Sequence, residues 1–152
     1  MFKSLDVVAL GEAMLEFNQT SPGQPNFLQG FGGDTSNAIV AAARAGARCA
    51  YLTLLGEDRW ADALTQLWQQ EGVALDGVRR IRGQRSGLYF VHHDDQGHHF
   101  SYARAGSAAS RMAPPDLKGG WLNLIAQSHW FHVSGISMAI SETARATVFE
   151  AM

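Results

Sequence analysis

The stretch Gly32-Gly33-Asp34-Thr35-Ser36-Asn37, running straight into Ala38-Ile39-Val40-Ala41-Ala42-Ala43-Arg44-Ala45-Gly46, decides how this chain is read. Two glycines let a backbone turn sharply and let a ligand approach the main chain without meeting a Cβ. Asp34, Thr35 and Ser36 are residue types that cap helix N-termini, and they are expected to cap the helix that follows. That helix carries small side chains, which suits tight packing on a sheet. It stops at Gly46, a usual place for a left-handed residue. The free amides of its first turn point outward and offer a polar ligand a binding place.

Outward from this turn the chain alternates. Leu5-Asp6-Val7-Val8-Ala9-Leu10-Gly11 is a short apolar run ending in glycine, the pattern of a central strand covered on both faces. Ala50-Tyr51-Leu52-Thr53-Leu54-Leu55-Gly56 repeats it. Asp58 then caps a helix whose Ala61, Leu64, Leu67 and Trp68 hold the spacing of one apolar face, and Gly72 ends it. Strand, helix, strand, helix in this order implies right-handed crossovers and a largely parallel sheet. Met14-Leu15-Glu16-Phe17 reads as a further strand, and Ser21-Pro22-Gly23-Gln24-Pro25 as a loop.

The middle of the chain changes character. Ser86 to His93 and His98 to Arg104 flank Asp94-Asp95-Gln96-Gly97, a hairpin turn. With Asp95 and Gln96 as the loop, Tyr89 faces Tyr102, and strand alternation puts Arg104 on the face of Tyr102. Two phenols and a guanidinium on one face suit a sugar or a carboxylate. His92, His93, His98 and His99 bracket the turn, but neighbours on a strand point to opposite faces, so no metal site is expected. Arg79, Arg80, Arg82 and Arg85 read as a solvated strand edge. Further on, His129 to Gly135 reads as a strand, with His129 and His132 on opposite faces as core or sheet-end residues. Ser141-Glu142 opens a last helix, and Met152 is expected inside it. A crossover helix with no returning strand is expected of a C-terminally truncated chain.

At 152 residues, 46% hydrophobic and 17% charged, the composition is that of one globular domain with a core. A net charge of −2 gives no electrostatic footprint for nucleic acid, and no run is long enough for a membrane span. The single Cys49 excludes a disulfide framework and suits a reducing cytoplasm. The first residues do not read as a signal peptide.

Taken together, Leu10-Gly11-Glu12, the Gly32 to Asn37 turn, and the Gly46 to Gly56 spacing ending in Glu57-Asp58 resemble the PfkB, or ribokinase-like, carbohydrate kinases over the whole chain. Phe31-Gly32-Gly33-Asp34-Thr35 and Tyr102-Ala103-Arg104-Ala105-Gly106-Ser107 are similar to the 2-keto-3-deoxygluconate kinase branch. Thr35 departs from the broader family's small residue at that place.

The resemblance implies a three-layer α/β domain with a mostly parallel central sheet and a small β lid, its elements near 13–31 and 86–104. It implies that Gly33, Asp34 and Asn37 bind substrate hydroxyls, while Tyr89, Tyr102 and Arg104 hold a sugar acid from the lid side. Glu16 stands where relatives carry an acidic sugar-binding residue. Arg104 is then expected to select against neutral sugars, which offer nothing to balance its charge. The resemblance further implies phosphorylation by ATP with Mg2+, in the cytoplasm, with room for a homo-oligomer formed through the lid. It puts the catalytic aspartate of a Gly-Ala-Gly-Asp turn, the γ-phosphate anion hole and most of the adenine pocket downstream of Met152. No catalytic residue is therefore expected within these residues, and the nucleotide-binding ones are unassigned.

Overall fold

The computed structural model describes residues 3–152. Four strands, β1 (Leu5–Leu10), β4 (Cys49–Gly56), β5 (Val78–Ile81) and β8 (Ser128–His132), form one sheet in the order β5-β4-β1-β8. Every neighbouring pair in it is parallel. All eight residues of β4 are buried, as a strand covered on both faces requires. Its side chains alternate between two cores. Tyr51 and Leu55 join Ile39, Leu64 and Trp68 on one side, while Leu52 and Leu54 join Met112, Trp121 and Val148 on the other. Helices α1 (Asp34–Arg44) and α2 (Arg59–Gln70) supply the first core. Helices α3 (Trp121–Ala126) and α5 (Glu142–Ala151), with 3-10 turns at Ala109–Arg111 and Pro114–Lys118, supply the second. The result is the expected three-layer α/β arrangement with a parallel central sheet. None of the described helices is long and apolar enough to cross a membrane.

A second, smaller sheet is built from β2 (Met14–Gln19), β3 (Phe27–Gly32), β6 (Gly87–Asp94) and β7 (Gly97–Ala103), in the order β3-β2-β6-β7. It consists of two antiparallel hairpins joined by a parallel β2–β6 seam. The β6–β7 register pairs Tyr89 with Tyr102, as a two-residue loop at Asp95-Gln96 requires.

Several local expectations are corrected. Asp58 does cap α2, its Oδ1 accepting from the Ala61 amide at 2.8 Å. The residue at the cap of α1 is Gly33, however, and no side chain caps that helix. Thr35 and Ser36 point into the core instead. The Thr35 hydroxyl lies 2.9 Å from the Tyr51 hydroxyl, and Ser36 Oγ accepts from Trp68 Nε1 at 3.0 Å. Buried polar tips need partners, and these two hydroxyls supply them. Strand β8 ends at His132, because Ser134 caps a short helix α4 (Gly135–Ala139) through the Ser137 amide. His129 is exposed, not in the core. Met152 is the C-terminal cap of α5 and not an interior residue of it. Its amide donates to the Val148 carbonyl at 3.3 Å, while its side chain is exposed. Of the four arginines read as a strand edge, Arg79 and Arg80 lie on the edge strand β5, with Arg80 on Asp62 and Arg79 over the Trp121 ring, while Arg82 and Arg85 lie in the loop after it. At the hairpin, His93 and His98 share one face, their Nδ1 atoms 2.8 Å apart.

Trp68 is fully buried against Tyr51, their ring centroids 4.8 Å apart. Trp68→Ala should destabilise the fold by about 3–5 kcal/mol in urea unfolding, with Trp68→Phe costing much less. Burial pushes the Tyr51 phenol above its ordinary value, outweighing the Thr35 hydroxyl, which lowers it. The folded chain then keeps a proton that the unfolded chain loses near pH 10, so stability falls as pH rises through that range. The loss of stability between about pH 9.5 and 11 should be shallower in Tyr51→Phe than in the wild type, read from denaturation midpoints.

Candidate functional site

The seam between the two sheets encloses a cavity of about 190 Å3. Four pieces of chain wall it. Glu12 comes from the link between β1 and β2, Met14 begins β2, and Gly33 and Asp34 open α1. The small sheet gives Tyr89, Phe100 and Tyr102, Arg104 follows directly after β7, and Ile136, Ser137 and Ile140 come from the α4 region.

Gly33 makes the close approach at the floor. Its φ is +113°, and a Cβ there would sit 2.5 Å from the Glu12 carbonyl oxygen. Only glycine lets α1 start directly against the β1 exit. Asp34 follows, its Oδ1 accepting the Thr35 amide at 2.8 Å, so the carboxylate is tied to the first turn of the helix while it lines the cavity.

The aromatic wall has its own support. A Cβ on Gly32 would collide with the Tyr89 ring and hydroxyl, so the missing side chain is what lets the ring cross β3. Tyr89 donates its hydroxyl to Glu16, whose other oxygen accepts from Asn18 Nδ2 at 3.2 Å. Burial first, and the bond to Glu16 second, raise the Tyr89 phenol above its usual value, so it stays protonated at neutral pH. Tyr89 stacks on Tyr102 with centroids 5.9 Å apart, and the Arg104 guanidinium carbon lies 5.9 Å from the Tyr102 ring centre. Phe100 continues the row at 6.3 Å from Tyr102.

Arg104 is not free-standing. Its Nε donates to Glu12 Oε2 at 2.8 Å, and Nη2 lies 2.6 Å from the same oxygen. The other Glu12 oxygen accepts from Ser107 Oγ at 2.5 Å. Glu12 itself is 4% exposed. A buried carboxylate of the protein therefore already pairs with the Arg104 charge, a partner not expected from the sequence. Nη1 has no hydrogen-bond partner among the described residues.

Of the residues expected to bind substrate, Gly33, Asp34, Tyr89, Tyr102 and Arg104 converge on this cavity. Asn37 does not line it. It is exposed and borders a separate hollow with Phe31, Val40 and Arg44, one helical turn further along α1 than Gly33 and Asp34. Glu16 supports Tyr89 from behind the wall. Met152 does not line the cavity either, and the catalytic aspartate expected downstream of it falls outside the described residues. Glu12 and Ser107 lie in stretches that carry the family resemblance, but their contacts beside Arg104 are not among those expected from the sequence. The available signal is a lone carboxylate within the otherwise apolar run from Val7 to Leu15. A second hollow, of about 490 Å3, adjoins the first and shares Arg104, Ile136 and Ile140 with it. No group of three or more His, Cys, Asp or Glu side chains placed to hold a metal ion occurs among the described residues.

By sequence, residues 4–152 match the pfkB family carbohydrate kinase pattern. A 2-dehydro-3-deoxygluconokinase from Thermoproteus tenax is 32% identical over 97% of this chain and 46% of its own length. Fructokinase-2 from Solanum habrochaites is also 32% identical, over 96% of this chain and 45% of its own. Among solved structures, a PfkB protein from Polaromonas sp. JS666 superposes with a TM-score of 0.89 at 28% identity, covering 97% of this chain and 51% of that one. The chain thus spans about half the length of the curated relatives it matches. With its parallel sheet, small second sheet and seam cavity, the chain belongs to the pfkB family of carbohydrate kinases.

Proposed function

We propose that this chain forms the sugar-binding side of a cytoplasmic, ATP-dependent kinase of 2-keto-3-deoxygluconate. The observation that carries this reading is the Arg104 guanidinium, held beside Tyr102 and Tyr89 with Nη1 unpaired among the described residues, on the wall of a cavity of about 190 Å3. Pockets for drug-sized ligands run to about 300–1,000 Å3, so this one suits a single small sugar. Among the described residues Arg104 is the only cation on its wall, the natural partner of a sugar-acid carboxylate. Tyr89, kept protonated, offers a phenol against the sugar face. Asp34, with one oxygen tied to its own helix, offers the other to a hydroxyl and orients it. Phe100 and Tyr102 offer ring faces against which the apolar side of a sugar can pack.

Family membership implies ATP and Mg2+ as phosphoryl donor and its metal. The residues here do not fit them: the cavity is sized for the sugar, and no cluster of acidic side chains gathers to hold the ion among the described residues. The sequence from Met1 to Met152 also contains no Gly-Ala-Gly-Asp turn. These residues therefore bind and orient the acceptor, and phosphoryl transfer is assigned to residues elsewhere. Exposed Phe100, Tyr102 and Leu28 on the small sheet support its assignment as a lid, and we propose that surface for any contact between copies. The modest net charge and lone buried Cys49 support a cytoplasmic protein with small-molecule partners and no nucleic acid.

A second reading, a kinase of a neutral ketose such as fructose, is favoured by one observation: Glu12 already compensates Arg104.

Calorimetric titration should give one saturable site for 2-keto-3-deoxygluconate on this chain, with no ADP release in a coupled assay. Arg104→Ala should weaken that binding by about 1.5–3 kcal/mol, roughly ten- to hundredfold. Absence of binding to any sugar, or sugar-dependent turnover by the 152-residue chain, would overturn the proposal.

A further inference from the structure

Glu12 has contacts that a purely structural carboxylate would not need. It lies on the cavity wall, it is almost fully buried, and it spends one oxygen on Arg104 and the other on Ser107. The ionisable groups lining the cavity, among the described residues, are Glu12, Asp34, Tyr89, Tyr102 and Arg104, and Glu16 stands one contact behind through Tyr89. Arg104 is thus a single cation among carboxylates and phenols, and Glu12 is the carboxylate in direct contact with it. A carboxylate at this distance in a desolvated site offsets most of the field that the guanidinium would project onto a ligand.

We infer that Glu12 is the specificity-determining residue of the cavity. By neutralising Arg104 it keeps the cavity open to uncharged sugars and moderates its preference for sugar acids. The inference rests on the sugar-binding reading above. It gives the pair two separable roles: Arg104 supplies the hydrogen-bonding edge, through Nη1, and Glu12 sets how much positive charge comes with it. A substitution that removes this compensation turns the cavity toward acids. A substitution that keeps the charge leaves the preference where it is, even when the fit is loosened.

The test is a ratio. Affinities of the chain for 2-keto-3-deoxygluconate and for D-fructose are measured by calorimetry at one ionic strength, for the wild type, Glu12→Gln, Glu12→Asp and the double variant Glu12→Gln/Arg104→Gln, each checked for folding by circular dichroism. Glu12→Gln is nearly isosteric, and its amide oxygen can still accept from Ser107. It should raise the acid-to-neutral affinity ratio by about tenfold or more, because the guanidinium charge is left uncompensated. Glu12→Asp, which keeps the charge, should hold the ratio near the wild-type value, and the double variant should lose the gain. Equal weakening for both sugars in Glu12→Gln, or the same ratio in Glu12→Gln and Glu12→Asp, overturns the inference and leaves Glu12 a scaffold residue. A wild-type chain that binds neither sugar overturns the underlying reading, and this inference with it.

Discussion

The structure turns on one buried carboxylate. Glu12 sits where β1 gives way to β2, and it reaches across 92 residues to Arg104 and 95 to Ser107. Its neighbours are fitted around it: Gly33 rests on its carbonyl oxygen, and a Cβ on Gly87 would lie 2.7 Å from its Oε1. Breaking a buried ion pair from one side costs about 3–5 kcal/mol, because the remaining charge is left without solvent or partner. That penalty makes the relation between the two sheets specific. The chain after β7 must return to the β1 exit, and in doing so it delivers Ala108 and Met112 to the second core.

The parallel sheet and the cavity depend on each other through the same few residues. Thr35 and Ser36 anchor the start of α1 to Tyr51 and Trp68, so the first turn of that helix is held by core hydroxyl contacts and not by a cap. Gly33 and Asp34 at its tip are consequently fixed against the sheet. On the opposite wall, Glu16 holds Tyr89, Tyr89 stacks on Tyr102, and Tyr102 lies beside Arg104. Each of these side chains is held from behind, which is how a site keeps its geometry before a ligand arrives.

Much of this is legible in local sequence. The apolar runs ending in glycine mark β1 and β4, and the two-residue turn at Asp95-Gln96 is enough to set Tyr89 opposite Tyr102. What stays hidden is long-range. Nothing near Glu12 announces a guanidinium 92 residues away, so Arg104 reads as uncompensated. Thr35 and Ser36 have the chemistry of caps, and only the positions of Tyr51 and Trp68 turn them inward. Asn37 belongs to the right motif, but a turn of helix separates a motif from a surface, and its side chain borders a different hollow. His129 reads as a core or sheet-end residue, and it is exposed on β8, the edge strand of its sheet.

The small sheet also depends on chain that lies outside it. Each of its hairpins, β2 with β3 and β6 with β7, pairs strands that are neighbours in the chain. The seam that joins them is another matter. The Glu16–Tyr89 contact spans 73 residues, and the whole α1–β4–α2–β5 segment lies between the two hairpins in the chain. Closing a loop of that length is slow unless the intervening chain has already become compact. Compaction of the intervening α1–β4–α2–β5 segment shortens that path and brings the two hairpins edge to edge. Met14 and Tyr89 line the cavity from the two strands of that seam, so whatever parts β2 from β6 also opens the binding surface.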